Sequence, residues 1–308
     1  MRILITGGAG FLGSHLCAHF LHQGHHVTCL DKRANKNGFI KGLQEFPFFK
    51  IDQRDLLVSP WVNLPEHYDE WRSSDSPWYA GDLDYVLHFA SYPSPKDYMA
   101  KPIETLKADS VGTLEMLQLA KIKDAVFVLA STGHFDLERD PTNERTLYNE
   151  GKRFGEAATM AVHRCEQVST RIVRMFNSYG PGMRIDDGRI APTFITRALR
   201  NEEIQVFGGM QPISLTYVDD MVAGIEAVML SEFSAPVELG QPHRADVLTV
   251  ADMIVRLARS KSEIKIIPAS AREERFPDLM LAGQLGWEPK VSLREGLART
   301  IEDFRSRI

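Results

Sequence analysis

The sequence predicts an α/β fold, a doubly wound parallel sheet with a smaller α/β lobe completing the chain. Three observations predict it. Short apolar, β-type runs alternate with helical patterns through the first half of the 308 residues. The first of these runs enters a glycine-rich turn that opens a helix. After Phe176 the pattern becomes less regular and richer in Gly and Pro. Strand–helix alternation sets parallel strands side by side with helices on both faces.

The predicted strands are "RILIT" (2–6), "HVTCL" (26–30), "YVLHF" (85–89), "AVFVL" (125–129) and "TRIVRMF" (170–176). Helical periodicity predicts helices over 11–23, about 102–121 and about 147–166. Gly24 is placed to stop the first helix. Later helices are expected at 191–200, 219–230, 249–260 and 292–306. The expected division is 1–176 for the sheet lobe and 177–308 mainly for the smaller lobe, with a segment at about 214–240 returning to the first. Residues 56–82, rich in Trp and Pro, read as an insertion without periodicity: a lid, a partner surface or a long loop.

Composition excludes several classes. A formal net charge of -5 and the absence of a long Lys/Arg run argue against nucleic-acid binding. Cys17, Cys29 and Cys165 fit neither a disulfide framework nor a zinc pattern, so a reduced, cytoplasmic setting is expected. No stretch is long and apolar enough to span a membrane. His15, His19 and His22 share one helix face, but a metal needs convergent ligands, and no metal site is expected.

The turn "TGGAGFLGSHL" carries the first functional signal. Gly7, Gly10 and Gly13 recur at three-residue spacing, and Gly8, Gly10 and Gly13 complete G-x-G-x-x-G between a strand and a helix. Glycines there permit a tight turn and close approach of backbone to a pyrophosphate, which the helix N-terminus then receives. Asp31 ends the second strand, 18 residues beyond Gly13. A carboxylate at that point accepts from ribose hydroxyls and repels a 2′-phosphate, which favours NAD. Lys32 and Arg33 keep NADP as the lesser alternative. Asp52, after a third strand in "FKIDQRD", either contacts the adenine or caps a turn.

Strand 125–129 runs into "ASTGHFD", leaving Ser131 and Thr132 at its carboxyl end, the edge where open α/β sheets bind ligands. Tyr148 and Lys152 come next, four residues apart on one helix face. An ammonium beside a phenol favours the phenolate. Tyr148 is thus a candidate base, Lys152 its activator and ribose anchor, and Thr132 the group that orients a substrate alcohol as its hydride leaves.

With these features together the sequence resembles the extended short-chain dehydrogenase/reductases that modify nucleotide sugars. The resemblance is carried by "TGGAGFLGSH", "LHFAS", "LAST", "YNEGK", "RMFNSYGPGM" and "LTYVDDMVAGI" and covers nearly the whole chain. It implies a Rossmann-like lobe with bound NAD, a substrate lobe holding a nucleoside-diphosphate sugar, and a homodimer. It places Tyr148 and Lys152 on the family's catalytic Tyr-x-x-x-Lys, and adds Phe11, Leu12, Lys32, His88 and Ala90 to the expected cofactor contacts. Within the family the chain looks most like UDP-glucuronate decarboxylases, through "SPKDYMAKPIETLKADSVGTLEML", "DDGRIAPTFITRAL" and "LGWEPKVSLREGL". By that likeness Asn177 touches the sugar diphosphate, Arg189 lies by the nucleotide, and Phe207 stacks on the base. Phe207 reads equally as core packing.

The likeness has gaps. Those decarboxylases carry Ser-Glu after the catalytic Thr, where this chain has Gly133 and His134. Their arginine before "YVDD" is Ile213 here, and the loop from Thr132 to Tyr148 is short. His134 reads either as a replacement acid or base or as a loop histidine with a structural hydrogen bond. C4 oxidation and re-reduction needs only Thr132, Tyr148, Lys152 and NAD. The expected activity is therefore C4 epimerisation or oxidoreduction of a UDP-sugar or UDP-uronate. Decarboxylation with a rebuilt site is the near alternative, and a non-catalytic NAD-bound sensor the distant one.

Overall fold

The computed structural model describes residues 1–34, 38–56, 81–135, 140, 142–143, 145–269 and 275–308. The insertion read at 56–82 lies outside them, apart from Leu56, Gly81 and Asp82. The chain divides into two compact units. Met1–Pro93, Asp97–Val173 and Val228–Pro236 form the first; Ser94–Lys96, Arg174–Ala227 and Val237–Ile308 form the second.

The strands in chain order are β1 (Arg2–Thr6), β2 (His26–Leu30), β3 (Phe49–Asp52), β4 (Tyr85–His88), β5 (Val126–Thr132) and β6 (Thr170–Met175). Then come β7 (Ser178–Tyr179), β8 (Ile204–Phe207), β9 (Pro212–Ile213), β10 (Thr216–Tyr217), β11 (Val237–Leu239), β12 (Ala245–Asp246) and β13 (Ile264–Ile267). A seven-stranded sheet runs β11-β6-β5-β4-β1-β2-β3. The order doubles back at β1, so this is the doubly wound arrangement the sequence predicts. Ile3, Leu4, Ile5 and Thr6 are all buried, as a strand covered on both faces requires.

Register explains why the functional residues gather. Thr6 pairs in parallel with Leu30 on one side and His88 on the other. Leu30 pairs with Asp52, and His88 with Leu129. These five residues therefore stand in one row across the sheet. The next residue of each strand path (Gly7, Asp31, Gln53, Phe89 and Ala130) lies along one edge.

The helices of the first unit are α1 (Phe11–His22), α2 (Gly38–Gly42), α3 (Pro95–Ala100, whose first two residues belong to the second unit), α4 (Pro102–Asp109), α5 (Val111–Lys123) and α6 (Thr146–Glu166). α1 buries Leu16, Cys17, Phe20 and Leu21 and ends before Gly24, whose φ of 81° suits the stop. One core cluster joins Leu4, Val86, Met116, Leu119, Phe127 and Ile172, so α5 is clamped to β1, β4, β5 and β6 by apolar burial.

The single helix expected over 102–121 is corrected: the structure breaks it into α4 and α5. Ser110 between them has φ −108° and ψ −77°. Its N–H and its hydroxyl both donate to the Leu106 carbonyl, at 2.9 and 2.5 Å, and close the last turn of α4. The break leaves Asp109 as the last residue of α4, packed against Gly151 of α6.

The second unit holds α7 (Ile190–Leu199), most of α8 (Val218–Leu230), α9 (Val247–Ala258), α10 (Met280–Gln284) and α11 (Leu293–Arg305). β8 and β13 pair in parallel. Trp287 donates through Nε1 to the Asp220 carbonyl at 2.9 Å, and Tyr179 through its hydroxyl to the Leu293 carbonyl at 3.2 Å. Ser292 caps α11 by accepting from the Glu295 N–H at 3.3 Å.

Candidate active site

The glycine turn after β1 is a cradle that side chains would fill. Gly7 has φ 67°, and a Cβ there would lie 2.7 Å from Ala90 N and from the Phe89 carbonyl. A Cβ on Gly13 would lie 2.2 Å from Gly7 O. Backbone, not side chain, therefore lines the turn. Gly10 stands at the N-cap of α1 with no side-chain cap, followed by half-buried Phe11 and Leu12. First-turn N–H groups without a side-chain cap are suited to a phosphate. These residues fit a dinucleotide pyrophosphate.

Asp31, just past β2, is 8% exposed. Its Oδ2 accepts from Ala9 N at 3.1 Å and its Oδ1 from Arg33 N at 2.7 Å. One carboxylate thus ties the glycine turn to the neighbouring strand end while keeping acceptor lone pairs for ribose hydroxyls. Lys32 instead pairs with Asp55 at 2.8 Å and lies 5.4 Å from the centre of the Tyr92 ring. Partial burial pulls its pKa down, but Asp55 and Tyr92 outweigh that and leave it raised. Asp52, the last residue of β3, is gripped by Arg54 through Nε at 2.9 Å and Nη2 at 2.6 Å. It also accepts the Arg54 N–H at 3.2 Å, so it closes a local turn.

Thr6 organises the next strand end. Its Oγ1 accepts from Phe89 N and Ala90 N, both at 3.2 Å, and lies 2.8 Å from His88 Nδ1. With two donors already received, the hydroxyl donates to Nδ1, which assigns the proton of His88 to Nε2. Nε2 is buried and makes no well-formed hydrogen bond among the described residues, though the ring leans on the Ala108 carbonyl. Burial, helped by the Lys152 charge, lowers His88 to about 3. His88 is thus a neutral strut, and Ala90 is presented by its backbone against Gly7.

Thr132 is the last residue of β5, and its Oγ1 accepts from the His134 N–H at 3.1 Å. The His134 backbone thus turns over the hydroxyl, while its half-buried ring lies at the start of the loop. Tyr148 and Lys152 sit in the first two turns of α6, as the sequence predicts. Lys152 Nζ is 5.7 Å from the centre of the Tyr148 ring. The buried Tyr98 ring stacks on Tyr148 at 5.7 Å and 17°. Lys152 donates to the Ala130 carbonyl at 2.9 Å, which fixes the ammonium beneath the end of β5. Beside it, Ser131 donates to Glu156 at 2.6 Å.

Sequence reasoning missed Tyr98 and Asp109. Lys152 Nζ lies 2.9 Å from Asp109 Oδ1, with side chains 6% and 1% exposed. Burial pulls Lys152 down, and Asp109, Tyr148 and Glu156 more than offset it, leaving the ammonium above the ordinary lysine range. The signal for Asp109 was its place four residues after Thr105 on the buried face of a helix.

The residues expected to hold substrate lie in the second unit. Asn177 follows β6, and its carbonyl accepts from Thr216 N at 2.8 Å. Arg189, at the N-cap of α7, pairs with Asp187 through Nε at 2.5 Å and Nη2 at 2.9 Å. Phe207 ends β8 and is 57% exposed, so core packing does not account for it. A cluster the sequence did not reveal centres on the buried Glu238. It pairs closely with Arg275, meets Arg174 at 3.8 Å, and accepts from Asp278 N at 2.9 Å. Among the described residues no group of His, Cys, Asp and Glu is placed to hold a metal ion, and no helix is long and apolar enough to cross a membrane.

Comparison with known proteins points the same way. The model of the NAD dependent epimerase/dehydratase family matches residues 3–238. UDP-glucuronic acid decarboxylase 1 of Danio rerio is 38% identical over 320 residues, 98% of this chain and 72% of that protein. A UDP-glucose 4-epimerase from Thermotoga maritima, solved with UDP-glucose, superposes with a TM-score of 0.82 at 25% identity, covering 100% of this chain and 99% of that one. A UDP-glucuronic acid 4-epimerase from Bacillus cereus, in complex with UDP-glucuronic acid and NAD, superposes with a TM-score of 0.83 over 100% of both chains. At 23% identity that likeness is one of fold.

Proposed function

The chain belongs to the NAD dependent epimerase/dehydratase family, and from that premise we propose that it oxidises a UDP-linked hexose or hexuronate at C4 and completes its turnover as a C4 epimerase or oxidoreductase. The observation that carries this reading is the placement of Tyr148 over Lys152 on α6, beside the strand end that presents Thr132. Its cofactor is NAD. NAD, when bound, supplies the hydride acceptor. Thr132 orients the C4 hydroxyl. Tyr148, as phenolate, removes its proton, and Lys152 stabilises that phenolate. Asp31 selects NAD by receiving the ribose hydroxyls. Substrate recognition is assigned to Asn177, Arg189 and the exposed ring of Phe207. The homodimer is assigned to the faces of α4, α5 and α6 that expose Ile103, Leu114 and Phe154.

A second reading, decarboxylation of UDP-glucuronate, is favoured by the 38% identity to a decarboxylase. A 4-keto uronate is a β-keto acid. Its bond to CO₂ breaks with the electron pair passing into the ketone, so the oxidation chemistry is shared by both readings. One experiment separates them. The purified protein is incubated with NAD and UDP-, dTDP-, GDP- and CDP-linked hexoses and hexuronates, and products are followed by NMR and mass spectrometry. Unchanged mass with an inverted C4 signal is the result expected of the epimerase, and net NADH that of the oxidoreductase. Loss of CO₂ selects the second reading. No turnover of any sugar by NAD-loaded protein refutes both.

A further inference from the structure

We propose that Asp109 is the positioning residue of this site: its buried carboxylate holds the Lys152 ammonium under Tyr148 and cancels part of its charge, which sets the pH at which Tyr148 gives up its proton. The inference deepens the reading of Tyr148 as the base and rests on it. Asp109 is 1% exposed, and Lys152 Nζ lies 2.9 Å from its Oδ1. Lys152 is the main compensation for this buried carboxylate and Ser91 adds to it, while burial still holds the Asp109 pKa above the ordinary aspartate value. Backbone on both sides enforces the pairing. The helix break at Ser110 ends α4 at Asp109, and Gly151, between Tyr148 and Lys152, lets the carboxylate approach α6. A Cβ on Gly151 would lie 2.9 Å from Asp109 Cβ and 3.3 Å from its Oδ2.

The ammonium has three N–H groups. Asp109 and the Ala130 carbonyl engage two, leaving the third for a ligand. Among the described residues, the charged and titratable groups around the ammonium are Tyr148 and Glu156 on its own helix, Asp109 on α4 and the neutral His88 on β4, and Tyr98 of α3 stacks on the phenol. Glu156 is committed to the Ser131 hydroxyl. Lys152 therefore acts on Tyr148 as a screened cation. Without the Asp109 charge the ammonium keeps the Tyr148 phenolate, Glu156 and the Ala130 carbonyl as partners, remains protonated, and pulls harder on the phenol.

The test reads Tyr148 directly. NAD-loaded wild type, Asp109→Asn and Gly151→Ala are titrated by phenolate absorbance, each minus the same protein carrying Tyr148→Phe. The expected result is a wild-type phenol that titrates below free tyrosine, and a further fall on the order of one pH unit in Asp109→Asn. Gly151→Ala, which displaces the carboxylate without removing it, should shift the titration the same way by less. A wild-type phenol titrating at the free-tyrosine value overturns the reading of Tyr148 as the base. A low wild-type value that stays put or rises in both variants leaves that reading standing and overturns the role of Asp109. If the Asn variant fails to fold, the Gly151→Ala titration decides alone.

Discussion

Acid should destabilise the first unit through His88, by an amount the structure lets one work out. The imidazole is neutral, buried, and lowered from 6.5 to about 3. A base whose native pKa is depressed contributes stability that is complete above its unfolded pKa. That stability is lost as pH falls from 6.5 toward about 3, because the unfolded chain takes up a proton the native state refuses. The full difference, 6.5 minus about 3, corresponds to roughly 5 kcal/mol at ~1.4 kcal/mol per unit. At about pH 5 the unfolded imidazole is almost fully charged and the native one is not, so about 2 kcal/mol is already gone. The perturbation is His88→Asn, which keeps an acceptor for the Thr6 hydroxyl and removes the titrating ring. Urea unfolding at about pH 7.5 and about pH 5, followed by circular dichroism, gives the loss for each protein. Wild type should lose about 2 kcal/mol more than the variant. Glu115, raised to about 8 by burial, works in the opposite sense, since its stabilising contribution is lost as pH rises toward that value. It is common to both proteins and drops out of the difference. Equal losses in the two proteins would refute the assignment of His88 as a buried neutral strut.

Two further predictions concern the cofactor cradle. Gly13→Ala puts a Cβ 2.2 Å from Gly7 O, so the turn must open. Overpacking of this kind costs about 1–3 kcal/mol, and the variant should purify without NAD and melt lower, as absorbance and calorimetry would record. Tight NAD binding by this variant would contradict the backbone cradle. Asp31→Ser removes the carboxylate that accepts from Ala9 N and repels a 2′-phosphate. The NAD:NADP preference should fall on the order of tenfold or more, measured by fluorescence titration of both dinucleotides. An unchanged ratio would move selectivity elsewhere.

The parts of this molecule that were legible in sequence are those encoded locally. Gly7, Gly10 and Gly13 announce themselves because a strand, a turn and a helix are contiguous, and that contiguity dictates their close approaches. Tyr148 and Lys152 are one helical turn apart, so their shared face needs no tertiary knowledge. Asp109 was hidden for the opposite reason. Its role depends on a break at Ser110 and on Gly151, an element away. The residues from Pro102 to Lys121 read as one continuous helix because a single serine and an isolated Gly112 do not by themselves end a helical pattern. His88 and Thr6 meet only through the register of β1 on β4. Asp52 was ambiguous because an acid at a strand end serves a ligand or a turn equally well; Arg54, two residues on, supplies the turn. Phe207 was ambiguous until its exposure at the end of β8 set it apart from the core.

The charges around the site bear on which reaction it runs. Oxidation at C4 asks for one proton acceptor and one cation to stabilise it, the two roles proposed above for Tyr148 and Lys152 on α6. Decarboxylation asks for more: a group to position the uronate carboxylate and a donor for the enolate left when CO₂ departs. The residues after Thr132 are Gly133 and His134, and Ile213 is apolar and buried at 6% exposure. The two carboxylates near Lys152 are already engaged, Asp109 with the ammonium and Glu156 with Ser131. Neither is a ready proton donor to a substrate. His134, whose backbone N–H donates to Thr132, stands at the start of that loop. Among the described residues of that loop, a decarboxylase would find His134 as its titratable side chain, with water as the other proton source. An epimerase needs no such donor, because Tyr148 returns to the C4 oxygen the proton it took.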